Sequence, residues 1–224
     1  MELQNKIKSA AESFFGWVGF KRVNSNPWHG WDEDDIKAFL RSGQEGVESP
    51  SRTKIREILF EFPGATLLDA ACGPAVELEG YKKYGINVDY TGSDFTYSMV
   101  DHARKIFPGY KFHVGNITCL AEKESSFDIV LARHIFEHLP HYKQAMKECL
   151  RVARKRVIVN FFIELNDTEE DIITTRGKDS YNNCYSRRIF ESFLTKTLKV
   201  REFKNYRNLG ASNFSQNEIY LIHK

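Results

Sequence analysis

From Ala65 onward the chain alternates short apolar runs with stretches whose apolar residues recur at helical spacing. The runs are TLLDAA, VDYTG, KFHVG, FDIVLA and RVIVNFF, and between most of them lie AVELEGYKKYG, SMVDHARKIF and HYKQAMKECLRVA. Strands alternating with helices predict a parallel sheet covered by helices on both faces. Only the link from KFHVG to FDIVLA is short, and its CLAEKESS predicts a single turn of helix at most. After Asn160 come a polar loop, a helix around SRRIFESFLTKTL, and two strand-like runs, VREFKNY and EIYLIHK, joined by the turn-rich NLGASNFSQ. That pair predicts an antiparallel hairpin at the sheet edge. The pattern is α/β: a doubly wound, mostly parallel seven-stranded sheet with an antiparallel C-terminal hairpin and an N-terminal helical extension.

The first sixty or so residues differ in character. They hold all the tryptophans, Trp17, Trp28 and Trp31, with Phe14, Phe15 and Phe20. The acidic run Asp32 to Asp35 opens a predicted helix, DEDDIKAFLRSG, where negative charge suits the helix dipole and Gly43 ends it. A second helix is predicted from about Ser49-Pro50-Ser51 through RTKIREILFEF. Residues 1–60 thus read as a helical extension and candidate lid, and residues 61–224 as the main domain.

A chain of 224 residues with 42% hydrophobic content can bury one α/β core. The net charge of +2, from 32 basic and 30 acidic residues, argues against a dedicated nucleic-acid binder. The cysteines, Cys72, Cys119, Cys149 and Cys184, form no CxxC pair or Cys/His cluster, so neither zinc nor a disulfide framework is indicated. Free thiols suit a reducing cytoplasm, and the expected location is cytoplasmic, without a signal peptide or a membrane span.

Chemistry concentrates in LLDAACGPA, where the first strand runs into a helix. Asp69 falls at the strand's carboxyl end, where doubly wound sheets bind ligands. Ala71, Gly73 and Ala75 are small at alternate positions and let backbone approach a ligand closely. Pro74 fits the first turn of the following helix, which Gly85 ends. A dinucleotide-binding loop is the nearest rival, but it needs a small residue where the chain has Val76.

With these residues the chain resembles the class I S-adenosylmethionine-dependent methyltransferases, in particular the small-molecule enzymes of the type 11 group, which have a Rossmann-like fold. The family's loop reads acid, any, Gly, any, Gly, any, Gly; here Asp69, Ala71, Gly73 and Ala75 stand at the named places, with alanine at two of the three glycines. In YTGSDFTYSM, Asp94 matches the acid that accepts hydrogen bonds from the ribose hydroxyls, and Phe95 follows it against the adenine. In VGNI, Asn116 matches the Asp or Asn near the adenine amino group, with Ile117 beside it. SSFDIVLARHIFEHL resembles the fourth strand and its loop, which adds Arg133 to the implied cofactor residues. The resemblance spans about Ala65 to Phe162 and implies S-adenosyl-L-methionine as cofactor. The helix after the loop then offers its N-terminus to the methionine carboxylate.

The implied reaction is methyl transfer to an O or N of a small molecule. A tRNA or protein methyltransferase and a non-catalytic cofactor-binding module are the alternatives. A hydroxyl acceptor requires a base, and His134 and His138 both follow the fourth strand. Their i, i+4 spacing places them on one side if the segment is helical. HIFEHLPH is not HExxH, so no metal is expected. The basic run Arg151 to Arg156 reads as a solvated helix end. The acceptor's identity and the oligomeric state are not legible.

Overall fold

The computed structural model describes residues 34, 36, 37, 48–175, 181–209 and 217–224. The predicted helix DEDDIKAFLRSG and the tryptophan-rich segment lie almost wholly outside these residues. Helix α1 (Pro50–Phe60) opens on Ser49, whose side chain accepts the Arg52 N–H, with Pro50 in the first turn. Then follow β1 (Ala65–Ala70), α2 (Glu77–Lys83), β2 (Val88–Asp94), α3 (Tyr97–Ile106), β3 (Lys111–Val114) and β4 (Phe127–Arg133). A one-turn 3-10 helix (Phe136–His138) leads to α4 (Lys143–Val152) and β5 (Ala153–Phe161). Helix α5 (Arg187–Ser192) continues as a π-helical turn (Phe193–Thr197) before β6 (Glu202–Tyr206) and β7 (Glu218–His223).

The seven strands form one sheet in the order β3-β2-β1-β4-β5-β7-β6. β1 to β5 pair in parallel, and β7 runs antiparallel to both β5 and β6. β7 therefore lies inside the sheet and β6 forms the edge. The strands alternate between two cores. Leu67, Ile129, Leu131 and Ile158 pack with Ile55 and Leu59 of α1 on one face. Leu68, Ala70, Val130, Val157 and Val159 pack with Met146, Cys149 and Phe190 on the other. A sheet buried on both faces explains the near-continuous apolar runs.

Three local outcomes differ from the sequence pattern. α2 starts at Glu77, so Pro74 lies in the loop before it. The β3–β4 link contains no helical turn, because Asn116 Oδ1 accepts the Thr118 N–H at 2.9 Å and closes an Asx turn. His134 and His138 do not share a helix face: the only helix there is the 3-10 turn Phe136–His138, and His134 precedes it with φ 52°. Gly85 ends α2 as expected, at φ 66°, with Ile86 N–H donating to the Tyr81 carbonyl at 2.9 Å. No helix among the described residues is long and apolar enough to cross a membrane.

Candidate functional site

The strand order turns at β1 and β4, whose connections leave in opposite directions, and their carboxyl ends frame a crevice. The loop after β1 is tied to β2 there: the N–H groups of Ala71 and Cys72 donate to the Ser93 carbonyl at 2.7 and 2.9 Å. Ala71, Gly73 and Ala75 all lie in the left-handed region, at φ 79°, 54° and 60°. The family's three glycine positions thus keep a glycine conformation, and two are filled by alanine against its preference. Replacing Ala71, which is half-buried, with glycine should stabilise the chain by about 0.5–1 kcal/mol in urea unfolding. Ala75→Gly should gain less, because it deletes a fully buried methyl. A loss of stability in Ala71→Gly would contradict the strain.

Asp94 ends β2 and faces this loop. Its Oδ2 accepts the Gly73 N–H at 2.8 Å and its Oδ1 accepts the Thr96 N–H at 2.8 Å. Burial raises its pKa, opposed by those two N–H groups. The Thr96 side chain hydrogen-bonds the same carboxylate. Phe95 beside it is 46% exposed and offers an aromatic face. Asn116 is exposed, with its Oδ1 spent on Thr118, while Ile117 is buried in the core.

Asp69 is buried and accepts the Tyr90 hydroxyl at 2.8 Å, not a loop N–H. Burial pushes its pKa up to about 7, against the Tyr90 hydrogen bond. Close by, Glu77 at the start of α2 pairs with Arg52 at 2.9 Å and with Arg133 at 3.3 Å. Glu77 itself occupies the positive end of the short α2, so that helix end is not an open carboxylate site. Burial and the neighbouring Arg52 push Arg133 down to about 10. Among the described residues, Arg52 Nε and the Tyr81 hydroxyl are buried without a hydrogen-bond partner, and Arg133 Nε has only its ion pair with Glu77. Arg133 also lies within electrostatic reach of Asp69 and Glu137 as well as Glu77.

Arg52 and Glu77 were missed in the sequence. The available signal was Arg52's position on the stripe it shares with Ile55 and Leu59, at helical spacing on the buried face of α1.

After β4 the structure separates the two histidines. His134 Nε2 lies 2.6 Å from Asn217 Oδ1, and burial together with Arg133 holds its pKa well below the usual histidine value. His138 Nδ1 lies 3.0 Å from the Tyr181 carbonyl, which ties it to the segment between β5 and α5. Between them, the Glu137 carboxylate is buried and receives the N–H groups of Phe162 and Ile163. Burial pushes its pKa up to about 7.

This gives a pH signature. The unfolded carboxyl ionises near its model value of 4.5, the folded one near 7, so the folded chain holds the extra proton between the two. Stability from this group is present at low pH and is lost as pH rises through that window. Glu137→Gln should therefore gain on the parent by up to about 3 kcal/mol between pH 5 and 8, read as the difference in thermal midpoints. A constant difference across that range would remove Glu137 from the account.

The basic run is engaged away from the crevice. Arg154 and Lys155 each lie 3.0 Å from Asp128, and Arg151 binds Glu148 and the Leu120 and Glu122 carbonyls. These contacts make a phosphate-tracking surface a poor description of it.

Residues 68–161 match the family model described as a methyltransferase domain. A ubiquinone biosynthesis O-methyltransferase of Coxiella burnetii is 29% identical over 110 residues, which are 47% of this chain and 46% of that protein. A demethylmenaquinone methyltransferase of Thermotoga maritima is 24% identical over 111 residues, 50% of this chain and 48% of that protein. The match thus spans about half the length of these curated relatives. Among solved structures, the magnesium protoporphyrin IX methyltransferase of Synechocystis with bound S-adenosylmethionine superposes with a TM-score of 0.61 at 14% identity, covering 98% of this chain and 96% of that one. An exposed aromatic ring, a carboxylate and two buried guanidinium groups along this edge are groups that could hold the base, ribose and carboxylate of such a cofactor. Over residues 68–161 the chain carries a class I S-adenosylmethionine-dependent methyltransferase domain.

Proposed function

We propose that the chain transfers a methyl group from S-adenosylmethionine to a hydroxyl oxygen of a small molecule. The observation that carries this reading is the division of labour along one sheet edge. Asp94 and the exposed ring of Phe95 follow β2, the buried Arg133 ends β4 beside Arg52, and His134 comes next; the first pair would meet the nucleoside and the arginines the methionine carboxylate. The bound sulfonium supplies an already activated methyl group. What remains for the protein is to align the acceptor and to remove its proton. His134 is the candidate for that proton, because it directly follows β4 at the carboxyl edge of the sheet and its ring is held in place by Asn217 and Phe162. His138, held by the Tyr181 carbonyl one turn further from the end of β4, is the second candidate. The name of the Coxiella relative, an O-methyltransferase, supports oxygen over nitrogen.

The test uses the full chain with S-adenosylmethionine and two probes, the catechol protocatechuate and the amine phenethylamine, with products weighed by mass spectrometry. The expected product is the O-methylated catechol, and His134→Gln should slow its formation at least about a hundredfold. Methylation of the amine alone, unaffected by His134→Gln, would replace this reading with base-free N-methylation. A cofactor-loaded chain that methylates neither probe would contradict it.

A further inference from the structure

Three strands converge on His134. Its backbone N–H donates to the Asn160 carbonyl at 2.8 Å, one residue beyond the register pair Arg133 and Asn160 of β4 and β5. Its ring packs edge-on against Phe162, with centroids 5.5 Å apart, and its Nε2 meets Asn217, the residue before β7. Asn217 is almost fully buried.

The direction of that hydrogen bond follows from groups that cannot change roles. Asn160 Nδ2 lies 3.1 Å from the Phe161 carbonyl and 3.3 Å from the Glu218 carbonyl. Backbone carbonyls only accept, so this end of Asn160 is its NH2 group. The same NH2 lies 3.4 Å from the Asn217 side chain, so the Asn217 atom facing it is the oxygen. That oxygen also faces the imidazole at 2.6 Å, and an acceptor there requires the proton on Nε2. A neutral imidazole carries one N–H, so Nδ1 holds the lone pair. Nδ1 has no hydrogen-bond partner among the described residues.

We propose that Asn217 is a positioning residue that locks His134 as the Nε2–H tautomer, leaving Nδ1 as the nitrogen that takes the acceptor's proton. The inference rests on the reading of His134 as the base. In the balanced step, the hydroxyl proton passes to Nδ1 and the oxygen's electron pair forms the bond to the methyl carbon. The pair of the broken carbon–sulfur bond stays on sulfur. The resulting imidazolium keeps its Nε2–H on Asn217 and later releases the Nδ1 proton to solvent. Its other charged or titratable neighbours are Arg133, Arg52 and His138, and both arginines oppose the positive charge.

The test is a long-range proton–nitrogen correlation spectrum of the nitrogen-labelled full chain near neutral pH, with histidine variants used for assignment. His134 should show a pyrrole-type Nε2 and a pyridine-type Nδ1. In Asn217→Ala the two nitrogens should move toward tautomer averaging, and turnover of protocatechuate should fall about three- to tenfold. Asn217→Asp keeps an accepting oxygen, so it should restore the pyrrole-type Nε2 and raise the His134 titration midpoint, with the acid limb of the rate profile following. Should Asn217→Ala fail to fold, the parent spectrum and Asn217→Asp still decide. A proton on Nδ1 in the parent, or a tautomer indifferent to Asn217, overturns the lock. A tautomer that follows Asn217 while His134→Gln turns over normally overturns the base reading alone.

Discussion

Asp94→Ala is expected to weaken S-adenosylmethionine binding about ten- to a hundredfold while the chain stays folded. The carboxylate is asked to do two things at once. Its oxygens receive the Gly73 and Thr96 N–H groups, which fix the loop after β1 against the start of α3. In the proposed reading the same carboxylate also accepts from the ribose hydroxyls, and each charge-assisted hydrogen bond of that kind is worth about 1.5–3 kcal/mol. Alanine removes both. Two backbone donors then lose their acceptor, so the thermal midpoint should also drop, by an amount equivalent to about 1–3 kcal/mol. Calorimetric titration and a melting curve on the same sample separate the two effects. Unchanged affinity with a lowered midpoint would reduce Asp94 to a loop-fixing residue.

Gly73→Val should reduce cofactor affinity by at least about a hundredfold, equivalent to about 2.8 kcal/mol. Gly73 lies at φ 54° between two alanines that already occupy left-handed backbone. Those alanines show that the loop tolerates a methyl group at a cost. A β-branched side chain at positive φ is a far rarer state, and the backbone must turn to relieve it. Turning it withdraws the Gly73 N–H from Asp94 and misplaces the loop surface proposed to meet the cofactor. Gly73→Ala is the control and should behave nearly as the parent. Equal binding by the valine variant would place the ligand away from this loop.

Much of this architecture was legible in the residue pattern, because the strands are buried on both faces and their apolar runs are sharply bounded. Asp94, Gly73 and the positions of Ala71 and Ala75 were legible for a related reason: they occupy fixed places relative to strand ends. What the pattern could not reveal depends on contacts across long sequence separations. Asn217 and His134 meet from just outside β7 and β4, 83 residues apart. Arg52 resembles an ordinary helix cation until α1 docks on the sheet and the side chain turns inward to Glu77. The i, i+4 spacing of His134 and His138 misled because His134 takes a left-handed backbone, which breaks helical periodicity before it begins. The start of α2 was misplaced for a similar reason, since the left-handed residues on either side of Pro74 postpone the helix to Glu77.

The most direct test of the central claim is calorimetric titration of the full chain with S-adenosylmethionine and S-adenosylhomocysteine, with NAD as competitor. Saturable one-to-one binding of both sulfur compounds, with a dissociation constant from about a micromolar to a few hundred micromolar and no displacement by NAD, is the predicted result. Absence of heat with either compound up to millimolar concentration, or displacement by NAD, would contradict the assignment of this crevice as a methyl-donor site.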